Sequence, residues 1–196
     1  MLYSVTYNNG VSKYALRKIP YVPRVLDVSA GIGIPYSEFA VFNTDATLLE
    51  RAEAYALSGQ YDKAVNDINA ELSVFTKKKT QLTLDEIVDF YGSLAYYTPT
   101  KPTPKKALNP LFTIEKTTQE PLLQCILQLR RLLTMHEGFR LQDVKRYGIT
   151  MYRRQVDVQS NVTAVTDSMK TGDPRLAIQL PQDVISAGVT PNPRNK

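Results

Sequence analysis

The chain's one histidine, His136, stands beside Glu137. A His–carboxylate pair does acid–base work only when a nucleophile or a metal is there to be served. No His-x-x-x-His or Gly-x-Ser-x-Gly spacing provides either, so no catalytic residue, no metal ligand and no enzymatic activity are expected. The one cysteine, Cys125, lies between Leu123 and Ile126 in an apolar helical pattern and reads as a buried, inert thiol. A lone cysteine also excludes an internal disulfide framework and a cysteine-ligated zinc site. Gly31-Ile32-Gly33 lacks the third glycine and the following helix of a phosphate loop, so no cofactor is expected. Tyr91, Tyr96 and Tyr97 remain as candidate ligand-binding residues. A tyrosine ring packs against the apolar C–H face of a sugar while neighbouring polar groups bond its hydroxyls. The competing reading has Tyr91 packing inward with Phe90 while Tyr96 and Tyr97 cover the end of a helix.

Glu137, Arg140, Asp143 and Arg146 alternate in sign at three-residue steps. On one helical face they would form a ladder of ion pairs. Exposed pairs of this kind contribute only ~0.2–1 kcal/mol each, and the ladder is expected to act in folding. The net charge of +5 is concentrated at residues 77–79, 101–106 and 130–154. These runs read as solvated surface, and nucleic acid is not an expected partner.

The elements that must hold these residues are mainly helical. Residues 47–71 resemble a tetratricopeptide-type hairpin. Ala52, Ala54, Ala56 and Ala64 let two helix backbones approach closely, with Ala52 and Ala64 buried at the crossing. Gly59 permits the reversal, and Tyr55, Tyr61 and Ile68 fill the space the alanines leave. The first helix is expected at about 46–58, capped by Thr44 or Asp45, and the second at about 61–75. Thr83 followed by Glu86 is a capping box that starts a third helix, running to about Leu94. Residues 98–106 carry three prolines at alternating spacing and begin an exposed excursion reaching loosely to Thr117.

A long helix at about 119–137, with Pro121 in its first turn, buries one face through Leu122, Ile126, Leu129 and Leu133. It is expected to pack against the hairpin. Gly138 interrupts it, and a short helix over 139–147 stops at Gly148. Residues 149–158 have strand-like content, 160–173 read as a polar loop, 176–180 as a short extended run, 181–186 as a brief turn or helix, and 191–196 as an open tail. Near the start, residues 2–7 and 11–16 alternate as two strands around Asn8-Asn9-Gly10, and 20–35 read as irregular chain.

With 196 residues, of which 43% are hydrophobic and 22% charged, the chain fits one globular domain. Within it, 1–44 are irregular with a possible hairpin, 45–148 helical and 149–196 irregular. No stretch approaches the ~18 consecutive apolar residues of a membrane span. The first ten residues have no apolar core of a signal peptide.

Two stretches, in order, resemble the SusD/RagB family of Bacteroidetes outer-membrane lipoproteins. Leu48-Leu49-Glu50-Arg51-Ala52-Glu53-Ala54-Tyr55-Ala56, with Gly59 and Ala64, is similar to the family's L-x-R-A-E-A-Y helix, and Asn66 and Asn69 match the Asn-rich turn that follows. Glu137, Gly138, Arg140, Asp143, Arg146 and Gly148 match the E-G-x-R-x-x-D-L-x-R-W-G signature. Tyr147 stands where tryptophan is usual, and Leu133 where a glutamate is. Residues 176–185 are similar to the terminal I-P-x-x-E-I stretch, but the N-P-G-Y ending is missing.

The resemblance implies that the chain is the C-terminal portion of a longer protein, attached to the outer membrane through a lipid anchor this chain does not contain. By the same resemblance it would be a carbohydrate- or peptide-binding nutrient-uptake protein, exposed on the cell surface as the lid of a TonB-dependent, SusC-like transporter. The matched signature residues, Ala52, Tyr55, Gly59, Ala64, Glu137, Gly138, Arg140, Asp143 and Arg146, would then be structural. The rival reading is a cytosolic tetratricopeptide-like module that binds another protein.

Overall fold

The computed structural model describes residues 2–6, 12–16, 21–37 and 42–194 apart from Lys78, Thr80, His136 and Ser160, with side chains at 24–34 and from 42 onward. The expected Asn8-Asn9-Gly10 turn and His136 lie outside the described residues. The fold is mainly α with a few short strands. Where the sequence reads as one domain, the chain divides into two compact units, residues 1–44 and 45–196.

The first unit is built from two antiparallel hairpins. β1 (Leu2–Thr6) pairs with β2 (Ser12–Leu16), as the alternation predicts. β3 (Tyr21–Asp27) pairs with β4 (Ile32–Ser37), where irregular chain is expected. Pro23 lies opposite Pro35. Two-stranded sheets have only edge strands, and edges tolerate proline. The turn is fixed by Asp27, whose Oδ1 accepts from the Ser29 and Ala30 amides at 2.8 and 3.1 Å. Gly31, at φ +64, completes the turn.

The second unit contains α1 (Thr44–Leu57), α2 (Tyr61–Phe75), α3 (Leu84–Ser93), α4 (Gln119–Leu133) and α5 (Arg140–Arg146). The hairpin β5 (Met151–Val156) with β6 (Val162–Met169) follows. A 3-10 turn at Pro174–Leu176 and α6 (Gln182–Ser186) end the unit. β6 replaces the expected polar loop; its Val and Thr residues favour an extended chain despite its overall polarity. Gly59 carries φ +77 between α1 and α2, a conformation that costs glycine little. The α3 capping box is present, with Thr83 and Glu86 bonded reciprocally.

Ala52, Ala56 and Ala64 are fully buried with Ile68, while Tyr55 and Tyr61 pack against them at the core's margin. Ala54 is exposed, on the opposite side of α1. Arg51 ties the hairpin together, reaching both carboxylate oxygens of Asp67 at 2.9 and 2.7 Å. The most extensive contact between helices is that of α3 and α4.

The helix α4 differs from its expected single buried stripe. Every residue from Gln119 to Leu127 is buried, so α4 is the centre of the unit and α3 is its principal neighbour, with α2 touching it less. It ends at Leu133, four residues before the expected limit. A central helix must satisfy its polar residues internally. Gln119 donates to the carbonyls of Ala56 and Leu57, closing the C-terminus of α1. Gln124 accepts from the Lys106 amide and donates back to the Lys106 carbonyl. The excursion is therefore only partly outside the core, since Leu108 and Ile114 are buried within it.

Candidate functional site

The residues of the two matched motifs meet around one carboxylate. Glu53 of α1 accepts from Arg146 Nε at 2.8 Å and from the Tyr147 hydroxyl at 2.7 Å, and it is also paired with Arg130 Nη2 of α4. Arg130 Nη1 continues to Asp143 Oδ1 at 2.8 Å, and Asp143 Oδ2 accepts from Arg140 at 3.1 Å. The expected ladder is corrected accordingly. Arg140 and Asp143 do pair along α5, but Arg146 turns to Glu53. Spacing along one helix cannot disclose a carboxylate supplied by another.

Burial pushes the Glu53 carboxyl up, but the Arg130 charge and the bonds from Tyr147, Arg130 and Arg146 outweigh it, holding the group below its ordinary value. Burial likewise works against Arg130, whose pKa is nevertheless raised by the facing charges of Glu53 and Asp143. Glu53 and Asp143 are buried, and Tyr147 has no exposed surface. Arg130 Nε alone in this cluster is buried without a hydrogen-bond partner; the remaining bonds, drawn from α1, α4 and α5, orient those helices. Glu137 is half-buried in the turn at Gly138.

Gly148 follows directly. It has φ +58, and a Cβ there would stand 2.2 Å from the Asn109 carbonyl oxygen. That close approach clamps the excursion to the end of α5, with the Asn109 amide donating to the Tyr147 carbonyl at 2.7 Å. The excursion is thereby held beside β5, and between them opens a cavity of about 540 Å³.

Pro102, Thr103 and Pro104 form one side of this cavity, as expected of a proline-rich wall. Tyr97, Tyr152, Lys106, Arg131, Arg140 and Arg154 carry its polar and aromatic chemistry, and no Asp or Glu lines it. The Tyr97 ring stacks on Tyr152, with centroids 5.9 Å apart and planes 19° apart. Lys106 Nζ lies 3.4 Å from the Tyr97 centroid and Arg154 Cζ 4.8 Å from it, and Arg154 Nη2 also bonds the Tyr97 hydroxyl. Desolvation, then the charges of Arg131, Arg140 and Arg154, bring the Lys106 ammonium down to about 8.

Of the three candidate tyrosines, the structure brings only Tyr97 to the cavity. Tyr91 is a correction: it is buried, edge-on to its exposed neighbour Phe90, as the competing reading has it. Tyr96 is exposed, but its hydroxyl donates to buried Glu120 at 2.9 Å and its ring carries Lys105 Nζ at 4.5 Å. Tyr97 itself presents little free face, because Tyr152, Lys106 and Arg154 already occupy the ring. Four members of the charge runs expected as solvated surface, Lys106, Arg131, Arg140 and Arg154, instead meet at one cavity. The sequence shows only that Lys106, Arg131 and Arg154 belong to basic runs; Tyr152 carries no comparable signal.

Buried Cys125 has its thiol pushed up by desolvation to about 12, in keeping with an inert role. No cluster of metal-ligating side chains occurs among the described residues, and no described helix is long and apolar enough to cross a membrane. No protein-family model, curated protein or solved structure matches the chain.

Proposed function

We propose that this chain is the ligand-holding part of a non-catalytic nutrient-binding protein of the bacterial cell surface, which captures a glycan or peptide for a TonB-dependent transporter. The observation that carries the binding reading is the cavity. Its volume lies within the range of small-molecule sites, and two of its cations, Lys106 and Arg154, are held against the Tyr97 ring. The resemblance of the two motifs to SusD/RagB proteins supports the location and the transporter partner. The joining of those motifs through Glu53 gives their residues a shared structural duty consistent with it.

The hairpin α1–α2 favours a second reading, a cytosolic tetratricopeptide-like adaptor. Ala52, Ala56 and Ala64 face the unit's own core, however, and Gln119 closes the end of α1. The small-residue surface that a stacked repeat would use is thus engaged internally.

Calorimetry of the purified protein against neutral and acidic oligosaccharides and short peptides tests the first reading, alongside co-purification from outer membranes. Binding that Tyr97→Ala abolishes, together with recovery of a TonB-dependent transporter, is the expected result. A cytosolic protein that binds none of these ligands would refute it.

A further inference from the structure

The cavity gathers four cationic side chains and no carboxylate from separate parts of the chain: Lys106 of the excursion, Arg131 of α4, Arg140 of α5 and Arg154 of β5. Like charges brought together repel, and after desolvation the charges of Arg131, Arg140 and Arg154 further lower the Lys106 ammonium. A fold gains nothing by assembling such a group unless something negative occupies the space between.

Two of the four have few duties elsewhere. Among the described residues Arg131 has no hydrogen-bond or ion-pair partner, and it is exposed at the cavity. Arg154 is committed only to Tyr97. Arg140 shares its charge with Asp143, and Lys106 donates to the Thr103 carbonyl. The tyrosine whose face would receive a neutral sugar is largely covered by Lys106, Arg154 and Tyr152. Here the aromatic pair anchors cations and does not offer a platform.

Resting on the nutrient-binding reading above, we infer that the ligand is an acidic oligosaccharide, whose carboxylate or sulfate groups are held by Arg131, Arg154 and Lys106. Guanidinium groups present planar, paired donors that match either oxyanion bidentately. Prolines 102 and 104 supply apolar surface for the C–H faces of the sugar rings. The cavity is bounded by the excursion and β5, which suits a short oligomer better than the backbone of a long nucleic acid.

The test is calorimetry on the full chain with three probes: an oligogalacturonate carrying only carboxylates, a chondroitin-sulfate oligosaccharide carrying both groups, and a neutral malto-oligosaccharide. At least one acidic probe is expected to bind, more weakly as salt rises, and the neutral probe not to bind. The preferred acidic probe separates carboxylate from sulfate recognition. Arg131→Gln, which removes no internal partner and so leaves the melting temperature unchanged, is expected to weaken that binding about tenfold or more. Arg154→Gln should do the same.

Binding of the neutral sugar or of a neutral peptide alone would overturn the inference while leaving the nutrient-binding reading in place. Absence of binding by every sugar and peptide would overturn both. Tight, salt-dependent binding of a single-stranded oligonucleotide with no acidic sugar bound, or acidic-sugar affinity unchanged in both arginine variants, would also overturn it.

Discussion

The hydroxyl of Tyr147, just beyond α5, donates to Oε1 of Glu53 in α1 at 2.7 Å across 94 residues of sequence. The ring is fully buried and the acceptor is charged. Tyr147→Phe keeps the packing and removes only the bond. Hydrogen bonds to charged groups contribute ~1.5–3 kcal/mol, and a loss of that size is expected in urea unfolding, with ligand affinity unchanged.

Glu53→Gln should cost more, ~3–5 kcal/mol, because it leaves Arg130 buried without its main counter-charge. The same site gives a pH signature. The Glu53 carboxyl lies below its ordinary value of 4.5 in the folded protein, so its contribution is fully present above about pH 4.5 and is lost as pH falls through the folded value. Acid unfolding of the wild type followed by circular dichroism should show this loss, and Glu53→Gln should be less stable at pH 7 but less sensitive to acid.

Ala64 has no exposed surface where α2 meets the core. Ala64→Phe should overpack that contact and cost ~1–3 kcal/mol, read as a lower melting temperature. An unchanged melting temperature would mean that the site accommodates a large ring.

The N-terminus of α4 is capped by Glu115 and not by Thr118, which makes no side-chain capping bond. The Glu115 carboxylate accepts from the Thr118 and Gln119 amides at 2.8 and 3.0 Å and from the Thr117 hydroxyl and amide. Hydrogen bonding, led by the Thr117 hydroxyl, holds its pKa at about 2. Carboxyl NMR should find Glu115 ionised well below the ordinary range. The cap is fully present above about pH 4.5 and fails only as pH falls to about 2. Glu115→Ala should lower the melting temperature at pH 7.

The helices were legible because each carries local signals: Thr83 with Glu86 for α3, Gly59 between α1 and α2, Gly148 after α5. The hairpin β3–β4 was not, since its strands contain prolines and its turn, made by Asp27 and Gly31, stands in a stretch rich in Pro, Gly and Ser. The role of α4 was missed because Gln119, Glu120 and Gln124 look like a solvent face. Their burial follows from partners 62, 24 and 18 residues away, at Leu57, Tyr96 and Lys106. The same distance blindness hid the pairing of Glu53 with Arg146 and the gathering of the four cations. Tyr97, which stands beside the proline-rich excursion in the sequence, does line the cavity, but its ring serves Lys106 and Arg154.

Arg130 and Arg131 are adjacent in α4, yet one is committed to Glu53 and Asp143 and the other faces the cavity. Successive helical positions point about 100° apart, so one turn of α4 divides two jobs between neighbouring codons. Exchange at 131 changes the charge of the cavity while the framework stays intact, whereas exchange at 130 jeopardises the molecule itself. The lining of the cavity is therefore free to drift across generations with little penalty in folding.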